Sequence, residues 1–535
     1  MKKRKSNNRR TSSKSSKKVT RRTYTPISDA LSQSTVFADC ELAQGIKRHG
    51  LVNLFSRAFG QARRDDSEPL EGILGALLVW PLLRVASIHA FCSELCQFIQ
   101  GRKEDGARKQ DILYSLLRRE DINWRNLAVS LCRSIFRDNL KELGPVSRRA
   151  FVVDDSIKTR RGKKVQGSSS HWDHTEGRTV RGHQVVELGI AGEAGLLPVD
   201  RQVSMGEKSA VNKPEDKGFR DERSACARDM KRAKDETKHE TFRRMLKAAI
   251  RAGFQAAYVL GDAWFGCKEN VALALECNLH AVFQMKRGNM LYRTDNPKAS
   301  GATVEGTCYS AHQLYNLHKR KLRKASKKAR YQTYRLRVWI NLETKAHRQH
   351  RHPRWEEVIV VLSAPVKETD GVSSDERWVI FLTTDLEASA EKVLSTYALR
   401  WAIEVYFKEV KQNFGFLAEQ SGRYEYAYAS VHLSAMRYLL LFEAALRDGS
   451  LNYGEIRDKQ TGILQVLSFA ALLWQLFRAL IEGALDRLKE AIGKDIVNEI
   501  TAAIDQEVDD FLERALQCEP LLIQSQLKAE EVGYL

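Results

Sequence analysis

Three places in the chain carry carboxylates whose surroundings suit chemistry. Asp154 and Asp155 follow the short β-branched run Ala150-Phe-Val-Val153, and Asp262 follows Ala256-Ala-Tyr-Val-Leu260-Gly261. Both read as strands with acids at their carboxyl ends, where ligands gather in sheets that contain parallel strands. The third, Glu404, lies within Tyr397-Ala-Leu-Arg400-Trp-Ala-Ile-Glu404-Val-Tyr-Phe-Lys408-Glu-Val-Lys411. Helical spacing puts Tyr397, Arg400, Glu404, Lys408 and Lys411 on one face. A phenol, several cations and one acid in a row suit a phosphodiester, with the acid holding metal and the cations holding phosphate oxygens. The spacing alone also fits a solvated charged stripe, and a lone strand-end acid often caps a turn. The reading therefore rests on the whole constellation.

The elements that would carry these residues follow from hydrophobic period. Residues 27–145 read as mostly helical, with apolar positions at helical spacing such as Leu70, Ile73, Leu77 and Phe91, Leu95, Phe98. Beyond Ala150 the texture turns to strands, including Val185–Ile190, Leu196–Val199 and Ala281–Gln284, interrupted by one helix over Asp229–Ala252. From 291 to 385 aromatic and β-branched runs at Tyr331–Ile340, Val358–Leu362 and Trp378–Leu382 read as a β-rich insertion. A helix over Ala388–Asn413 follows, and helical pattern dominates from 425 onward, with Ile463–Leu480 apolar enough to be a buried helix. No internal repeat is present.

Charge narrows the partner. The 535 residues include 87 Lys plus Arg against 67 Asp plus Glu, a formal net charge of +20, while 43% are hydrophobic. That balance excludes a wholly disordered or collagen-like chain and points to a polyanion, nucleic acid first. Residues 1–22 hold eleven cations and no acid, which reads as a disordered basic arm. A second cluster places eight cations in the twelve residues from Lys319: Lys319, Arg320, Lys321, Arg323, Lys324, Lys327, Lys328 and Arg330. Such a stripe suits phosphate contacts without base reading. The longest apolar run, Ile73–Leu83, is too short to span a bilayer and contains Pro81. The basic N-terminus has no apolar stretch behind it and is not a secretory signal. Nine scattered cysteines suggest reduced thiols. No Gly-rich phosphate loop ending in Lys-Ser or Lys-Thr occurs, so ATP use is not indicated. His171-Trp-Asp-His174 lacks a companion pair for zinc, and Cys92-x3-Cys96 is most simply core.

Tyr397-x2-Arg400-x3-Glu404-x6-Lys411, preceded by Asp155 and Asp262, resembles the Y-R-E-K signature and D-D-E triad of DDE transposases of the insertion-sequence-four type. The resemblance covers about residues 145–420. It implies an α/β fold with an RNase H-like mixed-sheet catalytic core, interrupted by a β-rich insertion and flanked by helical regions. It implies further that Asp155, Asp262 and Glu404 bind two Mg²⁺ ions, for which Mn²⁺ would substitute. Tyr397, Arg400, Lys411 and Lys408 would then grip phosphate, and Trp378 would stack on a flipped base. Trp339 and Trp355 are weaker candidates for that role. Hard cations do prefer carboxylate oxygens, and a metal pair can clamp both oxygens of an in-line displacement. The first acid stays ambiguous on the residues themselves. Strand alternation sets Asp155 on the side of Phe151 and Val153 with Asp154 opposite, and the family pattern favours Asp155.

The implied layout is a basic arm at 1–23, a helical DNA-end-binding region at 24–145, core at 146–290, insertion at 291–385, the signature helix at 386–420 and a helical, dimerising region at 421–535. The implied activity cleaves the ends of the protein's own DNA element and joins the 3′-OH ends to target DNA. Its partners would be double-stranded terminal repeats, target DNA and a second copy of the chain, in a bacterial cytoplasm without membrane. A repurposed DNA-binding protein and a nuclease without strand transfer are the alternatives. A tyrosine recombinase is disfavoured, because His432 lies after the signature rather than before it.

Overall fold

A computed structural model describes most of residues 41–462, apart from 62–69, 84, 86, 95–105, 163, 174–176, 207–217, 289, 300–306, 327–328, 344–353, 367–376, 420, 450–454 and 460, and only scattered positions after 462. The basic arm, Lys327, Lys328 and the helix expected over Ile463–Leu480 lie outside the described residues.

The described strands form one sheet. In chain order they are β1 (Ala150–Thr159), β2 (Ser169–Asp173), β3 (Arg178–Gly192), β4 (Gly195–Ser204), β5 (Tyr258–Gly261), β6 (His280–Met285), β7 (Leu291–Arg293), β8 (Cys308–Ser310), β9 (Arg323–Lys324), β10 (Tyr331–Asn341), β11 (Trp355–Pro365) and β12 (Val379–Thr383). Their spatial order is β2-β3-β1-β5-β6-β12-β11-β10-β7-β8, with β4 on β3 and β9 on β10. At its centre β4, β3 and β1 are antiparallel neighbours, and β1, β5 and β6 run parallel. This mixed α/β sheet with flanking helices is consistent with an RNase H-like fold. The apolar starts of β1 and β5 explain the parallel pairing: Phe151, Val152, Val153, Val259 and Leu260 are fully buried, as strands covered on both faces must be.

Three expectations are corrected. β1 does not stop at its acids but runs on to Thr159, paired with β3 throughout. That pairing is possible because Gly182 lets the chains close up: a Cβ there would meet the Lys158 carbonyl oxygen at 2.3 Å. The single helix over Asp229–Ala252 is two, Ala225–Asp235 and Lys238–Arg251. Thr237 starts the second with a capping box, its hydroxyl and Glu240 exchanging hydrogen bonds with each other's backbone N–H. The helix over Ala388–Asn413 also divides, into Ala390–Ala398 and Trp401–Asn413, with Arg400 at the junction. The strands of the expected β-rich stretch, β10 to β12, join the central sheet, since β12 pairs with β6.

The N-terminal helices belong to the same core. In the helix Trp124–Asp138, Trp124, Leu127, Leu131 and Ile135 are buried, and Asn123 caps it by accepting the Asn126 N–H at 3.0 Å. That helix and the 25-residue helix Tyr424–Asp448 pack on each other and on β4. Beneath the helix Trp401–Asn413 lies a fully buried ion pair. Arg201 of β4 donates from Nε to the Glu187 carboxylate of β3 at 3.2 Å and from Nη2 to the Pro198 carbonyl at 2.9 Å. Tyr406 of that helix donates its hydroxyl to the same carboxylate at 3.3 Å.

Trp378, expected to stack on a flipped base, is instead core. It is 2% exposed, its ring stacks on Tyr315 at 4.4 Å with 5° between planes, and the Arg287 guanidinium sits 4.8 Å from its centroid. Position just before β12, where neighbouring side chains enter the core, buries it. No ring face is left for a base.

Replacing Arg201 by Leu would leave Glu187 buried and unpaired, and should destabilise the fold by about 3–5 kcal/mol in urea titration; adding Glu187→Leu should recover most of that loss. Trp378→Ala should lower unfolding stability by about 3–5 kcal/mol. A variant that kept wild-type stability and lost only DNA affinity would restore the base-stacking role.

Candidate active site

Register brings the first two carboxylates together. The parallel pairing of β1 with β5 ends at Val153 opposite Gly261, so the next residues, Asp154 and Asp262, emerge side by side. β5 stops there because Asp262 turns the chain. Its Oδ1 accepts the backbone N–H groups of Trp264 at 2.9 Å and Phe265 at 3.3 Å, the turn-capping role that a strand-end acid often has.

The Glu404 helix supplies the rest. Arg400 donates from Nη1 to Asp154 Oδ2 at 2.8 Å and from Nη2 to Glu404 Oε1, so one guanidinium bridges the two acids. Its Nε is buried without a hydrogen-bond partner. Burial, then the neighbouring Asp262 charge, push the Asp154 carboxyl up to about 7 against the pull of Arg400. Carboxylate oxygens suit a hard divalent cation by type, although as placed Asp154, Asp262 and Glu404 do not come close enough together to share one ion.

Asp155 is not in this cluster, contrary to expectation. It faces the opposite side of β1, where Lys238 Nζ donates to its Oδ1 at 3.0 Å and Gln184 Nε2 donates to its Oδ2. The reason is the side on which the Glu404 helix packs. Asp154 lies opposite Glu187 in the β1–β3 register, and the Glu187 side chain points to Tyr406 of that helix. Alternation then turns Asp155 to the helix Lys238–Arg251.

The other signature residues are near but not equivalent. The Tyr397 hydroxyl donates to Gln284 Oε1 at 3.2 Å, the Arg400 guanidinium lies 5.6 Å from its ring, and burial pushes the phenol up to about 12. Lys411 is half-buried, its ammonium pKa lowered by burial and then by Lys158. Lys408 is exposed. The second basic cluster lies around β9 and β10, with Arg320, Lys321, Arg323, Lys324 and Arg330 exposed and Lys319 half-buried. Lys298 lies over the Trp339 ring at 5.3 Å and Arg293 over Trp355 at 5.8 Å, both indoles half-buried.

Several residues at the site carried no sequence signal strong enough to single them out. Lys238 and Gln184 hold Asp155, and Gln284 holds Tyr397. Trp264, 46% exposed, stands two positions after Asp262, a closeness to an acid that could have marked it. Among the described residues, the His, Cys, Asp and Glu side chains close enough to share one ion are His49, Asp138 and Glu443, away from this site. There Arg48 and Arg447 also pair with Glu443, at 2.7 and 3.4 Å, so that group is a tie between helices rather than a cation site.

No described helix is long and apolar enough to cross a membrane. No curated protein matches the chain. The family model described as DDE superfamily endonuclease matches residues 101–353, a stretch that includes Asp154, Asp155 and Asp262 and stops before Glu404. Over that stretch the chain is similar to the DDE superfamily endonucleases, which supports a nuclease of the transposase kind acting on DNA.

Proposed function

We propose that the protein is a DDE transposase, of the insertion-sequence-four type by its Y-R-E-K residues, that cuts the ends of its own DNA element and joins the 3′-OH ends to target DNA. The observation that carries this reading is the Arg400 bridge between Asp154 and Glu404, with Asp262 beside Asp154 at the open end of a parallel strand pair. In this reading those three acids hold two divalent ions, Mg²⁺ or in its place Mn²⁺, with Asp154 taking the part that the family pattern assigns to Asp155. Bound ions of this kind supply charge stabilisation to the attacking and leaving oxygens of an in-line displacement.

The protein's own groups do the remaining work. Arg400, which spans Asp154 and Glu404, has the planar fork that would suit a phosphate oxygen. Tyr397, Lys408 and Lys411 line the approach and hold the strand so that the scissile phosphate meets the carboxylates. Lys319 to Arg330 and the basic arm add contacts that depend on charge and not on sequence. The helices before Ala150 and after Tyr424 would recognise element ends and a second protomer.

Glu404→Gln and Asp154→Asn should each leave DNA binding near wild type and abolish cleavage, whereas Asp155→Asn should only slow it. Abolition by Asp155→Asn alone, with Asp154→Asn active, would return the ligand role to Asp155. The assay is a labelled duplex carrying the DNA that flanks the gene, incubated with Mg²⁺ and with EDTA as control. Metal-dependent 3′-OH ends that then appear joined to a second DNA support transposition. Cleavage without joining would leave a nuclease, and tight binding without cleavage a DNA-binding protein. Deleting residues 1–22 should flatten the salt dependence of DNA binding; an unchanged slope would make the arm a tail only.

A further inference from the structure

A cavity of about 330 Å³ opens between β4 and the helices Trp124–Asp138, Ala225–Asp235, Lys238–Arg251 and Tyr424–Asp448. That volume falls in the range of small-molecule sites, roughly 300–1,000 Å³. None of Asp154, Asp262 and Glu404 borders it. It lies across β4 from the Glu187–Arg201 pair, since alternation turns Asp200, on its wall, away from Arg201. One wall is apolar, formed by Val129, Val199 and Ala249. The rest carries charge. Arg125 is engaged by Asp200, donating from Nε to Oδ1 at 2.7 Å and from Nη2 to Oδ2. Arg228 and Arg232 are not engaged: their side chains make no hydrogen bond or ion pair among the described residues, Arg228 being exposed and Arg232 half-buried. Four positions apart on one helix, they lie on the same face. Asp229, 3% exposed, accepts the Tyr424 hydroxyl on Oδ2 at 2.7 Å, while its Oδ1 has no hydrogen-bond partner among the described residues. A buried acceptor left open on a cavity wall is uncommon and marks a place for a donor.

We propose that this cavity binds a small molecule with the chemistry of a nucleoside monophosphate, its phosphate held by Arg228 and Arg232 and its flat N–H-bearing ring laid on the apolar wall beside Asp229. Two guanidinium forks one helical turn apart suit phosphate oxygens, which accept bidentate bonds. A flat ring covers Val129, Val199 and Ala249 without burying a charge, and its N–H supplies the donor that Asp229 lacks. Because one strand and four helices form the walls, an occupant ties the helices before Ala150 and after Tyr424 to the sheet and stabilises the chain as ligand is added. The inference does not rest on the transposase reading, since the carboxylate cluster takes no part in it.

The test titrates the full chain with AMP, GMP, CMP and UMP by calorimetry, with the matching nucleosides and inorganic phosphate as half-ligands and without DNA or metal. At least one monophosphate should bind once per chain and raise the unfolding temperature, its nucleoside and inorganic phosphate each binding about tenfold more weakly or worse. Arg228→Ala combined with Arg232→Ala should weaken that monophosphate about tenfold, to the level of its nucleoside. Asp229→Asn, which offers a donor where the ligand's donor arrives, should weaken monophosphate and nucleoside alike. Both arginines reach solvent, so the double variant should unfold at the temperature of the unliganded wild type. Binding by none of the four at millimolar concentration overturns the proposal. So does inorganic phosphate that binds as tightly as any of them, because the cavity would then be an anion site only. Undiminished affinity in the double arginine variant overturns it as well. Blunt duplex that displaces the monophosphate, and loses affinity in the same variant, would assign the cavity to the DNA backbone and overturn a small-molecule site. Cleavage is read separately through Asp154→Asn and Glu404→Gln, so failure here leaves that reading standing.

Discussion

The arrangement of the site depends on a charge pair that never meets solvent. Glu187 and Arg201 are fully buried on adjacent strands, and two buried charges hold only when paired and hydrogen-bonded. Tyr406, reaching Glu187 from above, makes the helix Trp401–Asn413 part of that satisfaction. The helix is thereby held to one face of β3 and β1. Arg400 at the helix start then reaches Asp154 and not Asp155, and holds Glu404 with its other nitrogen. A polar contact in the core thus decides which of two adjacent acids faces the cluster.

A second constraint is register. Parallel pairing brings Val153 level with Gly261, and the acids that follow inherit the alignment without any contact of their own. β5 ends at that point because the Asp262 side chain caps the turn, while β1 continues in partnership with β3. The opening where one strand leaves and its neighbour goes on is where a ligand can approach, as open sheets with parallel strands provide. Arg400 fills it with a guanidinium that spans Asp154 and Glu404.

Charge outside the site follows another logic. The exposed cations from Arg320 to Arg330 gather around β9 and β10, several strands away from Asp154 across the sheet. They suit a long polyanion that passes over the sheet rather than a small ligand that sits in one pocket.

Much of this was legible from residues alone. The runs Ala150–Val153, Val358–Leu362 and Ala281–Gln284 became strands, because β-branched apolar stretches bounded by turn residues have few other stable forms. The acids Asp262 and Glu404, with Tyr397 and Arg400, could be picked out by type and spacing, since those depend on local periods that the chain itself sets. Alternation also separated Asp154 from Asp155, but it could not say which face the signature helix would cover. Nor could local pattern tell a buried tryptophan from an exposed one: Trp378 and Trp264 both stand near strand ends, and only the packing of Tyr315 against the first and the open turn at the second distinguish them. Helix breaks at Thr237 and Arg400 escaped for a related reason, because an apolar period continues across a cap that costs one turn. Sequence determined which residue types could gather; the face on which one helix settles over Glu187, a matter of long-range burial and charge pairing, decided which of them did.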